Sequence, residues 1–190
     1  MKRRTRILLS LAICEVLFAC SPAHSSGDLN AAQIRTKLDA IPLDQEVHLT
    51  NEEWQVIMSP QQFFVMRRGG TEAPSLSGNT LDQHKGVYVC SACGNPLYSA
   101  DTKFDSGTGW PSFWQPIRKE AVRENSTVSA IFGREISCAR CGSHLGHVFN
   151  DGPPPTGLRY CMNAVALTFR EGDGTTKKAH ANIFRQFPKS

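Results

Sequence analysis

The chain has 190 residues, and with 40% hydrophobic and 20% charged residues it has the composition of an ordinary globular protein with enough apolar material for a core. Its formal net charge is +4, but residues 1–19 hold four of the basic residues and one acidic residue, so the rest carries only +1. This balance indicates neither a nucleic-acid partner nor a membrane-surface partner.

The first residues have the pattern of an export signal. A basic start, MKRRTR, precedes an apolar run from Ile7 to Ala19 that is too short for an ordinary transmembrane helix. Leu17-Phe18-Ala19-Cys20 resembles a bacterial lipobox, in which Cys20 would carry lipid and become the first mature residue. We therefore expect residues 1–19 to be a signal peptide of lipoprotein type, with the protein anchored through Cys20 on the periplasmic side of the bacterial cell envelope. The alternatives are ordinary cleavage near Ala23 and an uncleaved apolar segment that packs on the domain.

Apolar periodicity and capping patterns predict two short helices after this signal, followed by another short element that ends at Gly69-Gly70. Thr50-x-x-Glu53 is a capping-box pattern ahead of an apolar group, and the helix that it opens must end before Pro60, because a residue that precedes proline avoids the helical region. Residues 20–47 are accordingly read as a linker and N-terminal helix. The predicted elements are Leu29 to Ile41, about 51–58, and Phe63 to Arg68.

From Gly86 onward the chain changes to short segments rich in Val, Tyr, Phe and Ile, separated by turns that contain Gly and Pro. Short strands without alternating helices indicate antiparallel sheets. We therefore predict a mainly β domain over residues 48–170, followed by a polar C-terminal tail, 171–190, for which no function is inferred. The strand candidates are Val87 to Val89, Ala121 to Arg123, Ser126 to Phe132 and Tyr160 to Phe169.

Four of the seven cysteines form two C-x-x-C-G units. The two thiolates of a unit can converge on one ion, and the glycine permits a tight turn around the sulfurs. Because Zn²⁺ prefers four ligands and four thiolates leave no position for water, the pattern predicts a structural zinc site. Two disulfides, which an oxidising compartment permits, and a redox-active pair are the alternatives. The predicted metal ligands are Cys90, Cys93, Cys138 and Cys141.

Cys161 belongs to neither unit. If its segment is extended, Arg159, Cys161 and Asn163 point to one side of it. A thiol ionises more readily beside histidine or arginine, and His144 and His147 are the obvious neighbours, so Cys161 is a candidate nucleophile. The alternatives are that Cys161 is a small buried hydrophobe and that the histidines are further metal ligands or a surface pair.

The chain also contains several long motifs. They are the two C-x-x-C-G units, KFDSGTGWPSF from Lys103 to Phe113, CARCGSHLGHVF from Cys138 to Phe149, and DGPPPTGLRYCMN from Asp151 to Asn163. These motifs are similar to those of the methionine sulfoxide reductase B family, which restores oxidised methionine. The resemblance covers about residues 48–170. It implies a zinc-braced antiparallel β fold of the β-tent type, and reduction of the R epimer of methionine sulfoxide in oxidised proteins or peptides.

The resemblance also implies roles for individual residues. The thiolate of Cys161 would attack the sulfoxide sulfur and become a sulfenic acid, while His144 and His147 would deliver a proton to the sulfoxide oxygen. Asn163 would donate to that oxygen or orient a histidine, and Trp110 would cradle the S-methyl group of the substrate. The further substrate-binding candidates are Phe149 and Arg159.

One position departs from the family pattern. Many members carry a second, resolving cysteine in the FDSGxGW turn, where this chain has Thr108. Threonine cannot form a disulfide, so we expect a single-cysteine cycle in which an external thiol or thioredoxin-like reductant clears the sulfenic acid, unless a retained Cys20 thiol does so. Two other functions remain open: a non-catalytic zinc-braced domain that binds oxidised or Met-rich peptides, and a Cys-His hydrolase, for which no oxyanion loop is identifiable.

Overall fold

The computed structural model describes residues 30–74, 85–129 and 133–172. Within these ranges three short helices precede nine strands that form two antiparallel sheets, so the predicted mainly β fold with short N-terminal helices is confirmed. The helices are α1 (Ala31–Asp39), α2 (Asn51–Ile57) and α3 (Pro60–Arg68). The strands are β1 (Gly86–Cys90), β2 (Pro96–Ser99), β3 (Lys103–Phe104), β4 (Ser112–Phe113), β5 (Val122–Ser129), β6 (Gly133–Cys138), β7 (His144–Phe149), β8 (Arg159–Met162) and β9 (Leu167–Glu171).

The two sheets differ in size. The smaller has the strand order β2-β1-β9, and the larger has the order β3-β4-β8-β7-β6-β5. The signal-peptide and tail predictions, for 1–19 and 171–190, fall almost wholly outside the described residues. In the part of the chain that is described, no helix is both long and apolar enough to cross a membrane.

The helices begin where side chains satisfy their first backbone N–H groups. A capping box opens α2, as expected. The third helix begins at Pro60 rather than near Phe63, because Ser59 and Gln62 form a second capping box and proline suits the first helical position. It ends at Gly69, whose φ of 67° lies in the left-handed region that favours glycine.

One hydrophobic cluster joins the helices to both sheets. Trp54 of α2, Tyr98 of β2 and Phe113 of β4 are fully buried in it. The rings of Tyr98 and Phe113 stack with centroids 4.4 Å apart, so the two sheets contact each other through aromatic packing. Burying each of these side chains contributes about 2–3 kcal/mol, and a ring pair adds about 1 kcal/mol. Ile34 and Leu38 of α1 belong to the same cluster.

The expectation of one strand from Tyr160 to Phe169 is wrong. The chain forms β8 in the larger sheet, turns through a 3₁₀ helix at Ala164–Ala166, and then forms β9 in the smaller sheet. The break has a physical cause: the carboxylate of Glu72 accepts hydrogen bonds from the backbone N–H groups of Ala164 and Val165, which a strand would use in its ladder. The expected segments 121–123 and 126–132 are not separate strands: Ala121 ends a 3₁₀ helix, and β5 runs from Val122 to Ser129, the last residue described there.

Candidate active site and metal cluster

A row of polar residues crosses one face of the larger sheet. Ser112 pairs with Cys161, Cys161 with His147, and His147 with Glu135, across β4, β8, β7 and β6. Directly opposed residues in antiparallel strands project to the same face, with their Cα atoms about 4.5–5.5 Å apart. The register alone therefore places the candidate nucleophile between a hydroxyl and an imidazole.

A bulge brings His144 to the same face. His147 lies three positions after His144, and strict alternation would point the two side chains to opposite faces. The register of β6 with β7 shifts between Ile136 and Ser137, which pair with Gly146 and His144. The extra residue reverses the alternation. The two imidazole rings consequently lie 5.2 Å apart, edge to face.

Glu135 fixes the orientation of His144. Its carboxylate lies 2.8 Å from Nδ1 of His144, and this hydrogen bond is the main reason that the pKa of Glu135 lies below its usual value. An ionised carboxylate only accepts, so Nδ1 of His144 carries the proton. His144 is only 6% exposed, and among the described residues its buried Nε2 has no hydrogen-bond partner. A buried nitrogen without a partner is available to a bound ligand. Glu135 was not among the site residues predicted from the sequence.

The second histidine is half-buried beside Cys161. Burial, followed by the nearby imidazole of His144, lowers the pKa of His147 below its ordinary value. The ring of His147 is therefore neutral at pH 7 and can accept a proton.

Cys161 is half-buried, and a chain of hydroxyl groups leads to it. The Oγ1 of Thr108 lies 3.9 Å from the Sγ of Cys161. The hydroxyl of Ser106 lies 2.8 Å from that of Thr108 and 2.7 Å from that of Ser112. The turn that carries these residues is tied to β8, because the backbone N–H of Met162 donates to the carbonyl of Pro111.

Arg159 lies on the Cys161 face, as the sequence predicts. It pairs with Phe149 across β7 and β8, and its guanidinium stands 4.3 Å from the centre of the Phe149 ring. Two hydrogen bonds, of 2.9 and 2.8 Å, join it to the carboxylate of Asp151. This bidentate pair raises the pKa of Arg159, which stays charged and fixed in direction. Asp151 is part of the site but was not among the predicted site residues.

Trp110 and Asn163 are both held by Glu72. The indole N–H of Trp110 donates to the backbone carbonyl of Glu72 over 3.2 Å. The side chain of Asn163 accepts from the Glu72 backbone N–H over 3.1 Å and donates to the Leu145 carbonyl over 3.0 Å. Asn163 is buried, and it joins Glu72 to the strand that carries the two histidines. This contact with Glu72 was not predicted from the sequence.

The four predicted ligand cysteines converge in the core. Their sulfur atoms all lie within 4.8 Å of one another, and the four side chains are buried. The described cysteines are free thiols, so the alternative of disulfides among these four is not observed. Hydrogen bonds among the sulfurs, from Cys141 first and then from Cys90, lower the pKa of Cys138 well below its usual value. This set of soft donors could hold a metal ion.

The two C-x-x-C-G units have the same backbone geometry. Gly94 N–H donates to the Cys90 carbonyl over 2.8 Å, and Gly142 N–H donates to the Cys138 carbonyl over 2.9 Å. The φ angles of these glycines, 76° and 68°, are ones that other residues rarely adopt. One unit follows β1 and the other follows β6, so the cluster joins the two sheets.

Arg140 connects the cluster to the N-terminal segment. It is buried within the second unit, and its guanidinium donates to the carbonyl of Cys93 in the first unit and, over 2.7 Å, to that of Ile41. In return, the backbone N–H of Val47 donates to the Arg140 carbonyl over 2.7 Å. The cysteine cluster and the packing of residues 41–47 are therefore joined through one residue, Arg140.

The fold and site together define a β protein with a cluster of four thiols that could hold a metal ion and a separate cysteine-histidine site. The chain belongs to the SelR domain family, which it matches over residues 58–171. Proteins named peptide methionine sulfoxide reductase MsrB are similar to it over most of their length. That of Methanosarcina barkeri is 53% identical over 65% of this chain and 88% of its own, and that of Leptospira interrogans is 47% identical over 68% and 99%. One from Pseudomonas putida is 47% identical over 68% and 98%. The resemblance inferred from the motifs is confirmed.

Proposed function

We propose that this protein reduces methionine-R-sulfoxide in peptides and proteins to methionine and so repairs oxidised proteins. The observation that carries the proposal is the position of Cys161, half-buried between Ser112 and His147 on one sheet face. The names of the relatives, peptide methionine sulfoxide reductase, support the same reaction.

The reaction is a transfer of oxygen between two sulfur atoms. The thiolate of Cys161 attacks the sulfoxide sulfur and forms an S–S bond to it, and the sulfoxide oxygen takes up a proton. The S–O bond of the substrate then breaks, the hydroxyl group bonds to the sulfur of Cys161 as the S–S bond breaks, and a sulfenic acid is left on Cys161. Two electrons pass from the cysteine sulfur to the sulfoxide sulfur, so methionine is released in reduced form. The two histidines supply what this exchange still needs, which is movement of a proton.

The proton comes from the thiol itself. Neutral His147, opposite Cys161, accepts it as the thiolate forms, and the resulting imidazolium returns it to the leaving oxygen. His144 lies against His147 with its Nε2 unpaired, in a position to hold the oxygen or to pass on the proton. Asn163 maintains the site by fixing the carbonyl of Leu145, which lies between the two histidines in sequence.

The substrate side chain is bound by apolar and aromatic groups. The indole of Trp110 offers a face to the S-methyl group, since sulfur-bearing groups contact aromatic rings favourably. Phe149 and Arg159 form a second wall beside Cys161, in which the ring supports the guanidinium.

The cycle is completed by a reductant from outside the domain. Thr108, whose hydroxyl lies 3.9 Å from the sulfur of Cys161, cannot form a disulfide. Two external thiols, or a thioredoxin-like dithiol, therefore reduce the sulfenic acid to the thiol and release water and a disulfide. A disulfide between Cys20 and Cys161 after turnover, found by peptide mass spectrometry, would contradict this cycle.

The cluster of four cysteines is proposed to hold a structural Zn²⁺. Sulfurs bound to zinc at about 2.3 Å form a tetrahedron with edges of about 3.8 Å. The Cys90–Cys141 and Cys93–Cys138 sulfur pairs are 3.8 and 3.7 Å apart. Four thiolates complete the coordination, so the ion stabilises the fold and leaves no position for substrate.

The N-terminal sequence supports a location in the bacterial cell envelope, with a lipid anchor at Cys20. This segment lies outside the described residues. Fractionation of cells that express the full chain, with a labelled fatty acid, tests it: Cys20→Ala should lose the label. Release of an unlabelled protein with a new N-terminus near Ala23 would overturn the anchor.

The deciding experiment for the activity uses a methionine-sulfoxide peptide resolved into its two sulfur epimers, with excess dithiothreitol. We expect reduction of the R epimer only, and loss of this reduction in Cys161→Ser. If neither epimer is reduced by folded protein with its metal bound, the enzyme proposal fails, and a peptide-binding domain takes its place.

A further inference from the structure

We propose that Glu72 is the positioning residue of the substrate pocket, which it holds in shape by anchoring the segment of residues 71–74 against the larger sheet. This inference rests on the proposed reductase function and deepens it. The indole of Trp110 receives the substrate's methyl group, and its position depends on Glu72, a residue outside the strands.

Four hydrogen bonds meet at Glu72. Two use its backbone: the carbonyl accepts from the indole N–H of Trp110 at 3.2 Å, and the N–H donates to Asn163 Oδ1 at 3.1 Å. Two use its carboxylate, which accepts from the backbone N–H groups of Ala164 and, at 3.0 Å, Val165. Glu72 thus contacts one proposed substrate-binding residue and the stretch that directly follows β8.

The segment 71–74 has no regular secondary structure of its own. Glu72 is half-buried, whereas the residues at 71, 73 and 74 are exposed. The segment also lies close to the turn that carries Trp110, because a Cβ added at Gly109 would come within 3.0 Å of the Pro74 side chain. Within the described residues no backbone–backbone hydrogen bond holds 71–74, so the segment is attached through Glu72, whose side chain enters the protein.

The carboxylate is the stronger part of the anchor. Hydrogen bonds from backbone N–H groups to an ionised acceptor are about twice as strong as neutral ones. Both acceptor oxygens are used, on two successive N–H groups of a 3₁₀ helix that is fixed between the two sheets. Removing the carboxylate frees the segment, and the carbonyl that holds the Trp110 indole then moves with it.

The expected consequence concerns substrate binding more than chemistry. Cys161 and His147 are held by the strand register and do not depend on Glu72. Trp110 lies in a turn, and its ring contacts the unreactive methyl group in the ground state as well as in the transition state. A loosened indole therefore raises KM and leaves kcat nearly unchanged.

The test measures steady-state reduction of the R-sulfoxide peptide by the full chain and its variants. We expect Glu72→Ala to raise KM about tenfold and to change kcat by less than about threefold. Glu72→Gln keeps the shape and one acceptor oxygen, so it should recover much of the loss. Glu46→Ala is the control, since this exposed carboxylate of the N-terminal segment pairs with Arg123 and its removal should leave KM unchanged.

A double-mutant cycle separates positioning from general loss of structure. If Glu72 acts through Trp110, Glu72→Ala should no longer raise KM once Trp110→Ala is present. Additive effects in the cycle, or a fall in kcat with an unchanged KM, would overturn the proposal. Should Glu72→Ala fold poorly, the same cycle is run with Glu72→Asp, whose shorter side chain withdraws the carboxylate from the N–H groups of Ala164 and Val165.

The indole N–H of Trp110 gives a readout that does not need turnover. In ¹⁵N-labelled protein its resonance, assigned with Trp110→Phe, should shift and exchange faster with solvent in Glu72→Ala, while those of Trp54 and Trp114 stay unchanged. An unchanged Trp110 signal would refute the anchor. This readout still decides the role of Glu72 if the wild-type protein reduces neither epimer and the proposed function itself fails.

Discussion

The hydroxyl oxygen of Thr108 lies 3.9 Å from the sulfur of Cys161. The strand register maintains this approach, because Ser112, four residues after Thr108, pairs directly with Cys161. We expect a cysteine in place of Thr108 to bring its sulfur to nearly the same point, close enough to Cys161 for the turn to close to a disulfide bond length of about 2.05 Å.

Thr108→Cys should therefore convert the single-cysteine cycle into one with an internal disulfide. After one turnover without added thiol, we expect a disulfide between the introduced thiol and Cys161 in non-reducing peptide mass spectrometry, and reduction by thioredoxin should become faster. The matched control is Thr108→Ser, which keeps the hydroxyl and should behave as the wild type. A persistent sulfenic acid in Thr108→Cys would show that the turn cannot close on the nucleophile.

His147 should make the stability of the protein depend on pH. Burial lowers its pKa in the folded state below the ordinary value of 6.5, so protonation favours the unfolded chain. The contribution of neutral His147 to folding stability is fully present above the unfolded pKa. This contribution is lost as pH falls through the folded pKa. Between about pH 7.5 and pH 5 the melting temperature of the wild type should fall more than that of His147→Asn.

Glu135 does not obscure this comparison. Its pKa is also lowered, chiefly by the hydrogen bond to His144, but a carboxylate loses its contribution only below its unfolded value of 4.5. If the melting temperatures of the wild type and His147→Asn fell equally between about pH 7.5 and pH 5, the pKa of His147 would be the same in the folded and the unfolded chain.

Much of the site could be predicted because its motifs lie within single strands and turns. Arg159 and Cys161 share a face because they are two residues apart on β8, and this follows from alternation alone. The matching glycines after Cys93 and Cys141 likewise indicated two equal turns, as observed. The roles of the individual residues came instead from the family resemblance.

The acidic residues of the site could not be found in this way, because long-range register places them. Glu135 reaches His144 only through the pairing of β6 with β7 and the bulge within it. Glu72 contacts Asn163 across 91 positions of the chain. Neither carboxylate has a neighbour in sequence that marks it as different from a solvated surface residue.

Loss of one sulfur ligand should destabilise the cysteine cluster that joins the two sheets. We expect Cys90→Ser to lose its zinc and to lower the melting temperature by at least about 10 °C, since metal binding to such a cluster is coupled to folding. Metal analysis and a thermal melt measure both effects. Cys161→Ser is the control, because this cysteine lies outside the cluster and the variant should keep the metal. A Cys90→Ser protein that retains one zinc per chain would exclude the four-thiolate site.

The carboxylate of Glu135 should matter for the rate through the orientation of His144. Glu135→Ala removes the acceptor that holds Nδ1, so the ring can turn and Nε2 loses its direction; we expect kcat to fall about tenfold or more. Glu135→Gln retains an acceptor oxygen at the same distance and should recover most of the rate. The measurement is kcat for the R-sulfoxide peptide in the wild type and both variants, with His144→Asn as the lower limit. If Glu135→Gln is as slow as Glu135→Ala, the site needs the negative charge beside His144, and orientation alone does not explain the role of this residue.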